Sequence, residues 1–361
     1  MTFRGKVLIV GPAWVGDMVM AQSLYRLLKQ REPDVEIHVL APAWSLPLLA
    51  RMPEVAAGIE LPAAHGELAL AARWDLGRRL RGEAFERAIV LPRSLKAALV
   101  PFFARIPRRT GYLGEWRYGL INDLRPFDAE RLDRTVLRFA ALGLDRGEAA
   151  LPDIPRPALR VDRSAAAALM RRFALPEQAA AALMPGAEYG PAKRWPAERY
   201  GELAARLLAD GMSVWILGSA KEAVLARAVR AQPGAEGAVD LCGRTSLTEA
   251  ADLLACAQVA ITNDSGLMHV AAAVGTAVVA IYGSSSPHFT PPLTSRSAIL
   301  YRGLACSPCH ARECPLQHLN CLRGIDAGAV VAAVRAAREE PEAAAQPGAP
   351  AAARPPPEAS P

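Results

Sequence analysis

Four stretches of the chain carry residues whose type and spacing can do chemistry. The first is Gly11-Pro12-Ala13-Trp14-Val15-Gly16-Asp17, between an apolar run and a helical one. A carboxylate at the mouth of such a turn can act as a general base. In the first turn of a helix it is also a favourable charge against the macrodipole, and that reading stands beside the first. The glycines allow a sharp turn and close approach of the backbone. The spacing is not G-x-G-x-x-G and Trp14 is bulky, so this loop is a poor cradle for a dinucleotide. The second stretch is Met184–Pro196, a Pro- and Gly-broken loop that holds Lys193 and Arg194. A cationic loop at a strand's carboxyl end suits a diphosphate; two solvated surface charges are the alternative.

The third stretch is Thr262-Asn263-Asp264-Ser265-Gly266-Leu267-Met268-His269. Here a strand runs into a helix capped by Asn263, Asp264 or Ser265. Such a turn presents backbone N–H groups to a phosphate. Asp264 is placed to take a sugar or ribose hydroxyl, and His269 lies one turn further in. The fourth is Cys306-x2-Cys309-x4-Cys314-x6-Cys321, with His310 and His318 interleaved. The spacing predicts a closed structural site for zinc or iron on four thiolates, against the alternative of four unliganded thiols. Cys242 and Cys256 stand alone and read as core residues.

Strand and helix patterns alternate around these stretches. Lys6–Val10, Glu36–Ala41, Ala88–Pro92, Ala181–Met184, Ser213–Leu217, Val259–Thr262 and Ala277–Tyr282 read as buried parallel strands. Asp17–Gln30, Glu198–Asp210 and Leu247–Cys256 read as helices. The fold class is therefore α/β, with two Rossmann-like doubly wound halves facing across a cleft. The expected domains are two Rossmann-like units at 1–165 and 166–340 and a disordered Pro/Ala-rich tail at 341–361. The join lies near Leu151–Arg160, where Pro152, Pro155 and Pro157 cluster.

The net charge of +6 is concentrated. Arg78–Arg138 holds 14 Lys/Arg against 7 Asp/Glu, a local excess of 14 − 7 = +7. That block suits an anionic partner, whether phosphate groups, a membrane surface or nucleic acid; an ordinary Arg-rich surface is the alternative. No recognisable nucleic-acid module accompanies it. No apolar run is long enough to span a bilayer, and Val7–Val10 is too short for a signal sequence. A cytoplasmic protein is expected, with its six Cys as thiols or metal ligands.

Five ordered blocks resemble a known family: GPAWVGDMVMAQSLYRLLK (11–29), APAW and LLARMPEV (41–55), the run from LPRSLK to YGLIND (91–123), PGAEYGPAKRWP (185–196) and TNDSGLMHVAAA (262–273). Together they resemble the ADP-heptose:lipopolysaccharide heptosyltransferases of glycosyltransferase family 9, type II, over about residues 6–330. The resemblance implies a GT-B fold, with the acceptor bound by 1–165 and the nucleotide-sugar donor by 166–340, and inverting transfer of heptose from ADP-heptose to the first heptose of the lipopolysaccharide inner core. It makes Asp17 the base and Lys193, with Arg194 beside it, the contact to the donor phosphates. Asp264 lies near the donor sugar, with Ser265, Gly266 and His269 in the same block, and Glu222 is a weaker match to a residue at the adenosine ribose. Arg93, Lys96, Arg108, Arg109 and Arg117 are acceptor candidates by position and charge. No cofactor is needed for the chemistry, and peripheral contact with the inner face of the inner membrane is expected. Alternatives are a heptosyltransferase of type I or III, a nucleotide-sugar epimerase or dehydrogenase, and a non-catalytic anion-binding protein.

Overall fold

The computed structural model describes residues 5–64, 66–148 and 151–339; the expected tail at 341–361 lies outside them. The first half contains β1 (Lys6–Val10), β2 (Glu36–Ala41), β3 (Val55–Glu60), β4 (Arg87–Val90), β5 (Arg108–Tyr112) and β6 (Asp123–Arg125). The second contains β7 (Ala180–Met184), β8 (Ser213–Ile216), β9 (Val239–Asp240), β10 (Val259–Asn263), β11 (Ala277–Tyr282) and β12 (Ser297–Tyr301). The strand orders are β3-β2-β1-β4-β5-β6 and β12-β11-β10-β7-β8-β9. All pairings are parallel. The second half repeats the topology of the first, so the chain holds two doubly wound sheets.

The central strands are apolar on both faces, as a sheet covered twice by helices requires. Every residue of β7, β10 and β11 is buried. In each half the strand order reverses beside the first strand, between β1 and β4 and between β7 and β10. Ligands of open α/β sheets bind at the carboxyl ends of strands at such a reversal. Asp17 follows β1, Lys193 follows β7 and Asp264 follows β10.

The halves share one hydrophobic core, which runs from Met18 and Leu24 through Leu159 to Leu253 and Met268. Behind the cleft the connecting segment is pinned to both halves. Ala158 N–H donates to Gln22 Oε1 at 3.0 Å. Leu159 N–H reaches Ala273 O at 2.9 Å, and Arg160 N–H reaches Arg51 O at 2.8 Å. Asp252 in the second half accepts two bonds from the Arg51 guanidinium of the first, at 3.0 and 2.7 Å, and one from Asp162 N–H at 2.8 Å. Its side chain is 1% exposed. Arg51→Ala leaves that carboxylate buried with one donor, a loss of about 3 kcal/mol. Thermal denaturation should show a lower Tm for Arg51→Ala, part of which returns in Arg51→Ala/Asp252→Asn. Equal Tm values for wild type and Arg51→Ala would refute this role.

Candidate active site

β1 ends at Val10, and Gly11 N–H bonds Leu40 O at 2.9 Å. A Cβ on Gly11 would lie 2.8 Å from Met18 Cε, so a side chain there would push the methionine aside. The helix Val15–Arg31 then begins after Trp14, whose backbone is extended and whose side chain makes no cap. Asp17 is the third helical residue, and its carboxylate lines the cleft.

A helix N-terminus favours a carboxylate by about 1 kcal/mol or less. Asp17 moves the other way. Burial, with the Asp264 carboxylate nearby, pushes its carboxyl from 3.8 up to about 6, against the pull of Lys193. Desolvation therefore outweighs the dipole. An acid with that pKa is a carboxylate at neutral pH and still basic enough to take a proton.

Two glycines bring the halves this close. A Cβ on Gly16 would stand 2.7 Å from His269 Cδ2, and one on Gly266 would stand 2.7 Å from Val15 Cβ. The helices Val15–Arg31 and Gly266–Ala273 thus meet at their N-termini, one from each half. His269 is buried in that contact, and desolvation lowers its pKa to about 4, so it is neutral. Its Nδ1 has no hydrogen-bond partner among the described residues.

Across from Asp17, Lys193 Nζ bonds Asp264 Oδ2 at 2.5 Å. The two side chains are 19% and 6% exposed. Thr290 Oγ1 reaches Asp264 Oδ1 at 3.4 Å. The loop that carries Lys193 is held by Asn263, the last residue of β10. Its Nδ2 donates to Pro185 O at 2.8 Å and Gly186 O at 3.2 Å. Its Oδ1 accepts from Trp195 N–H at 2.9 Å and from Tyr200 Oη at 3.2 Å. Every side-chain valence of this fully buried amide is used, which fixes both ends of the loop. Within the loop Lys193 Nζ lies 5.2 Å from the Tyr189 ring centre. Arg194 folds back onto Ala187 O at 3.3 and 3.0 Å. Glu222 packs its carboxylate over Gly186 and Gly218, where a Cβ could not fit, and accepts from Ser219 N–H at 2.7 Å. Ser265 and Gly266 open the helix behind Asp264.

Residues 73–320 match the glycosyltransferase family 9 (heptosyltransferase) profile. Lipopolysaccharide heptosyltransferase 2 of Salmonella typhimurium is 46% identical over 304 residues, which covers 82% of this chain and 87% of that protein. The Escherichia coli K12 protein of the same description matches equally, 46% over 304 residues, 82% and 87%. The solved structure of E. coli ADP-heptose lps heptosyltransferase II superposes with a TM-score of 0.83 at 41% identity, over 92% of this chain and 98% of that one. The chain belongs to glycosyltransferase family 9.

The family fold accounts for the two facing sheets, and the side chains show how the candidate residues divide. Asp17, Lys193, Asp264 and His269 come together at the domain contact. A cavity of about 1340 Å³ opens beside Asp17 at the carboxyl ends of the first sheet. Arg93 and Lys96 line it. Arg108, Arg109 and Arg117 do not. Arg108 pairs with Asp123 at 3.1 Å. Arg109 donates to the carbonyls of Leu120 and Ile106 at 2.7 and 2.5 Å. Arg117 is 0% exposed and donates to the carbonyls of Tyr112 and Pro92. These three guanidiniums are engaged within the fold: Arg109 on the loop between β5 and β6, Arg108 on β6, and Arg117 on the end of β5 and the segment after β4.

Arg138, which sequence reasoning did not single out, also lines the cavity. Its guanidinium lies 5.0 Å from the Phe127 ring centre and 4.4 Å from that of Phe289 in the other half. Phe289 O accepts from Thr135 N–H at 3.1 Å, closing a second contact between halves at the cavity rim. Only its place inside the basic block hinted at Arg138.

The cysteine segment is corrected by the structure. Cys306, Cys309, Cys314 and Cys321 are near one another, for the first three add to the burial that raises the Cys321 thiol. Yet among the described residues no three His, Cys, Asp or Glu side chains are arranged to hold a metal ion. Backbone N–H groups, that of Leu319 foremost, hold the Cys314 thiol below its ordinary range. The arrangement of the described side chains does not support the expected structural metal. The segment braces the Lys193 loop: Ala192 N–H bonds Arg312 O at 3.0 Å, and Tyr189 Oη bonds His310 O at 2.8 Å. Cys242 is buried as expected of a core thiol, whereas Cys256 is exposed.

Proposed function

We propose that the chain transfers heptose from ADP-heptose to the first heptose of the lipopolysaccharide inner core, with inversion. One observation carries the mechanism: a carboxyl raised to about 6 from the first half faces a Lys–Asp pair from the second. Asp17 takes the proton of the acceptor hydroxyl while that oxygen bonds the anomeric carbon. The electron pair of the breaking bond leaves with ADP. Lys193 and the N–H groups that open the Gly266–Ala273 helix face the charge that builds there. Asp264 holds Lys193 in place and is near enough to accept from a donor-sugar hydroxyl. The family resemblance assigns Arg194 and Glu222 to the nucleotide.

The acceptor enters the cavity beside Asp17, where Arg93, Lys96 and Arg138 offer charge to core phosphates. Similarity supports the type II acceptor. The 46% identity to heptosyltransferase 2 runs over 82% of the chain. A heptosyltransferase 1 of Pseudomonas aeruginosa matches at 36% over only 35% of the chain. No helix among the described residues is long and apolar enough to cross a membrane. The amphiphilic acceptor would be met at the inner membrane's surface, through the basic first half.

The test is transfer from ADP-heptose to two acceptors. Heptosyl-Kdo2-lipid A should accept and Kdo2-lipid A should not. The reverse result would make this the enzyme of the first heptose, and transfer to neither would sink the reading.

A further inference from the structure

The second sheet has another end. Gln258 precedes β10, Thr276 precedes β11 and Arg296 precedes β12, and all three border a cavity of about 790 Å³ at the amino ends of the strands. Asp264 lies at the opposite, carboxyl end of β10. Five residues of strand separate the two ends by about 15 Å, so this cavity is no subsite of the catalytic cleft.

Four arginines converge on it: Arg163, Arg296, and Arg335 and Arg338 from the last turns of the C-terminal helix Ala327–Glu339. Among the described residues no acidic side chain lines it. Arg335 pairs with Asp210 at 3.2 Å, on the exposed side. Among the described side chains Arg163, Arg296 and Arg338 have no ion-pair partner within 4.0 Å. Arg296 is held in place by Gly275 O at 3.2 Å, yet its Nε is buried without a hydrogen-bond partner. Like charges brought together without a counter-ion cost free energy, and a concave wall concentrates their potential on an anion. The remaining lining is small: Ala255, Ala257, Val274 and Gly275, with no aromatic ring to stack a base.

We propose that this cavity binds a compound carrying two or more phosphate groups, recognised through its phosphates and not through a base. Guanidinium forks match phosphate oxygens two at a time, and the three without an ion-pair partner suit more than one phosphate. The phosphates can belong to a free small molecule or to a lipid headgroup.

Inorganic pyrophosphate is the probe for the first source, titrated calorimetrically into the full chain carrying Lys193→Gln, which weakens phosphate binding in the catalytic cleft. Arg163→Gln/Arg296→Gln, added to that background, should weaken the remaining binding about tenfold or more. The same double substitution in the wild-type chain should leave transferase activity unchanged, which also shows that it folds; should it not fold, Arg338→Gln alone takes its place. Cys256 borders the cavity and is exposed, so pyrophosphate should slow its alkylation as read by peptide mapping. Phosphatidylcholine vesicles with and without cardiolipin, a lipid of two phosphates, test the second source. Arginine-dependent retention on the acidic vesicles without pyrophosphate binding supports a lipid phosphate, and the opposite pattern supports a free one. Pyrophosphate and vesicle binding that both ignore the arginine substitutions would overturn the proposal.

Discussion

Asp17→Asn lowers kcat by about 10²- to 10⁴-fold and at the same time raises the melting temperature at neutral pH. The two effects share one cause. The folded protein holds the Asp17 carboxyl at about 6 instead of 3.8 because burial and Asp264 disfavour its charge. The native state therefore binds this proton more tightly than the unfolded chain. The resulting destabilisation is absent below pH 3.8, grows as pH rises from there to about 6, and is complete above. Two pKa units correspond to about 3 kcal/mol, and the partial exposure of the side chain reduces what is recovered to about 1–3 kcal/mol. Asparagine keeps the shape and removes the charge. Thermal denaturation should find Asp17→Asn more stable than wild type at pH 7.5, with a smaller gap at pH 5. The wild-type profile of kcat/KM should show an acid limb near pH 6, since that ratio reports the free enzyme. If Asp17→Asn were instead less stable at pH 7.5, the residue would be a helix-terminal charge and not a strained base.

Position in the chain foretold the catalytic elements well because central parallel strands are written in mostly apolar runs. Lys6–Val10, Glu36–Ala41 and Ala277–Tyr282 are strands over those same residues. The outer strands escaped notice. β5 reads Arg-Arg-Thr-Gly-Tyr and β6, the edge strand beside it, Asp-Leu-Arg, and neither has the apolar pattern of a buried strand, because their charged side chains are met by partners such as the Arg108–Asp123 and Arg125–Asp123 pairs. Charge counting misled in the same region. A sequence shows that Arg117 is cationic but not that Tyr112 O and Pro92 O wait for it inside the fold. Asn263 was visible only as a cap candidate. Its work is to join β10 to the loop after β7, a contact over 63 to 78 residues of chain that no local pattern encodes. The cysteines had metal-ligand spacing, but ligation depends on where four side chains point, and among the described residues no three His, Cys, Asp or Glu side chains are arranged for it.

Lys193→Ala should lower kcat by about 10²- to 10³-fold and raise KM for the donor, because it removes the cation facing the leaving diphosphate. It should also lower the Tm, since it leaves the buried Asp264 carboxylate unpaired, at a cost of about 3–5 kcal/mol. Stability loss alone would be a poor test of mechanism, and two comparisons separate the roles. Lys193→Ala/Asp264→Asn removes both charges and should recover much of the Tm but none of the lost turnover. The pH profile then reports on Asp17 from a distance. Lys193 favours the Asp17 carboxylate and Asp264 opposes it. Residual activity of Lys193→Ala should therefore have its acid limb above pH 6, whereas Asp264→Asn should have it below. Limbs that move the same way, or do not move, would mean that the pair does not set the basicity of Asp17. Opposite shifts would tie the base of one half to the phosphate-binding pair of the other, which is what a transferase built from two facing domains requires.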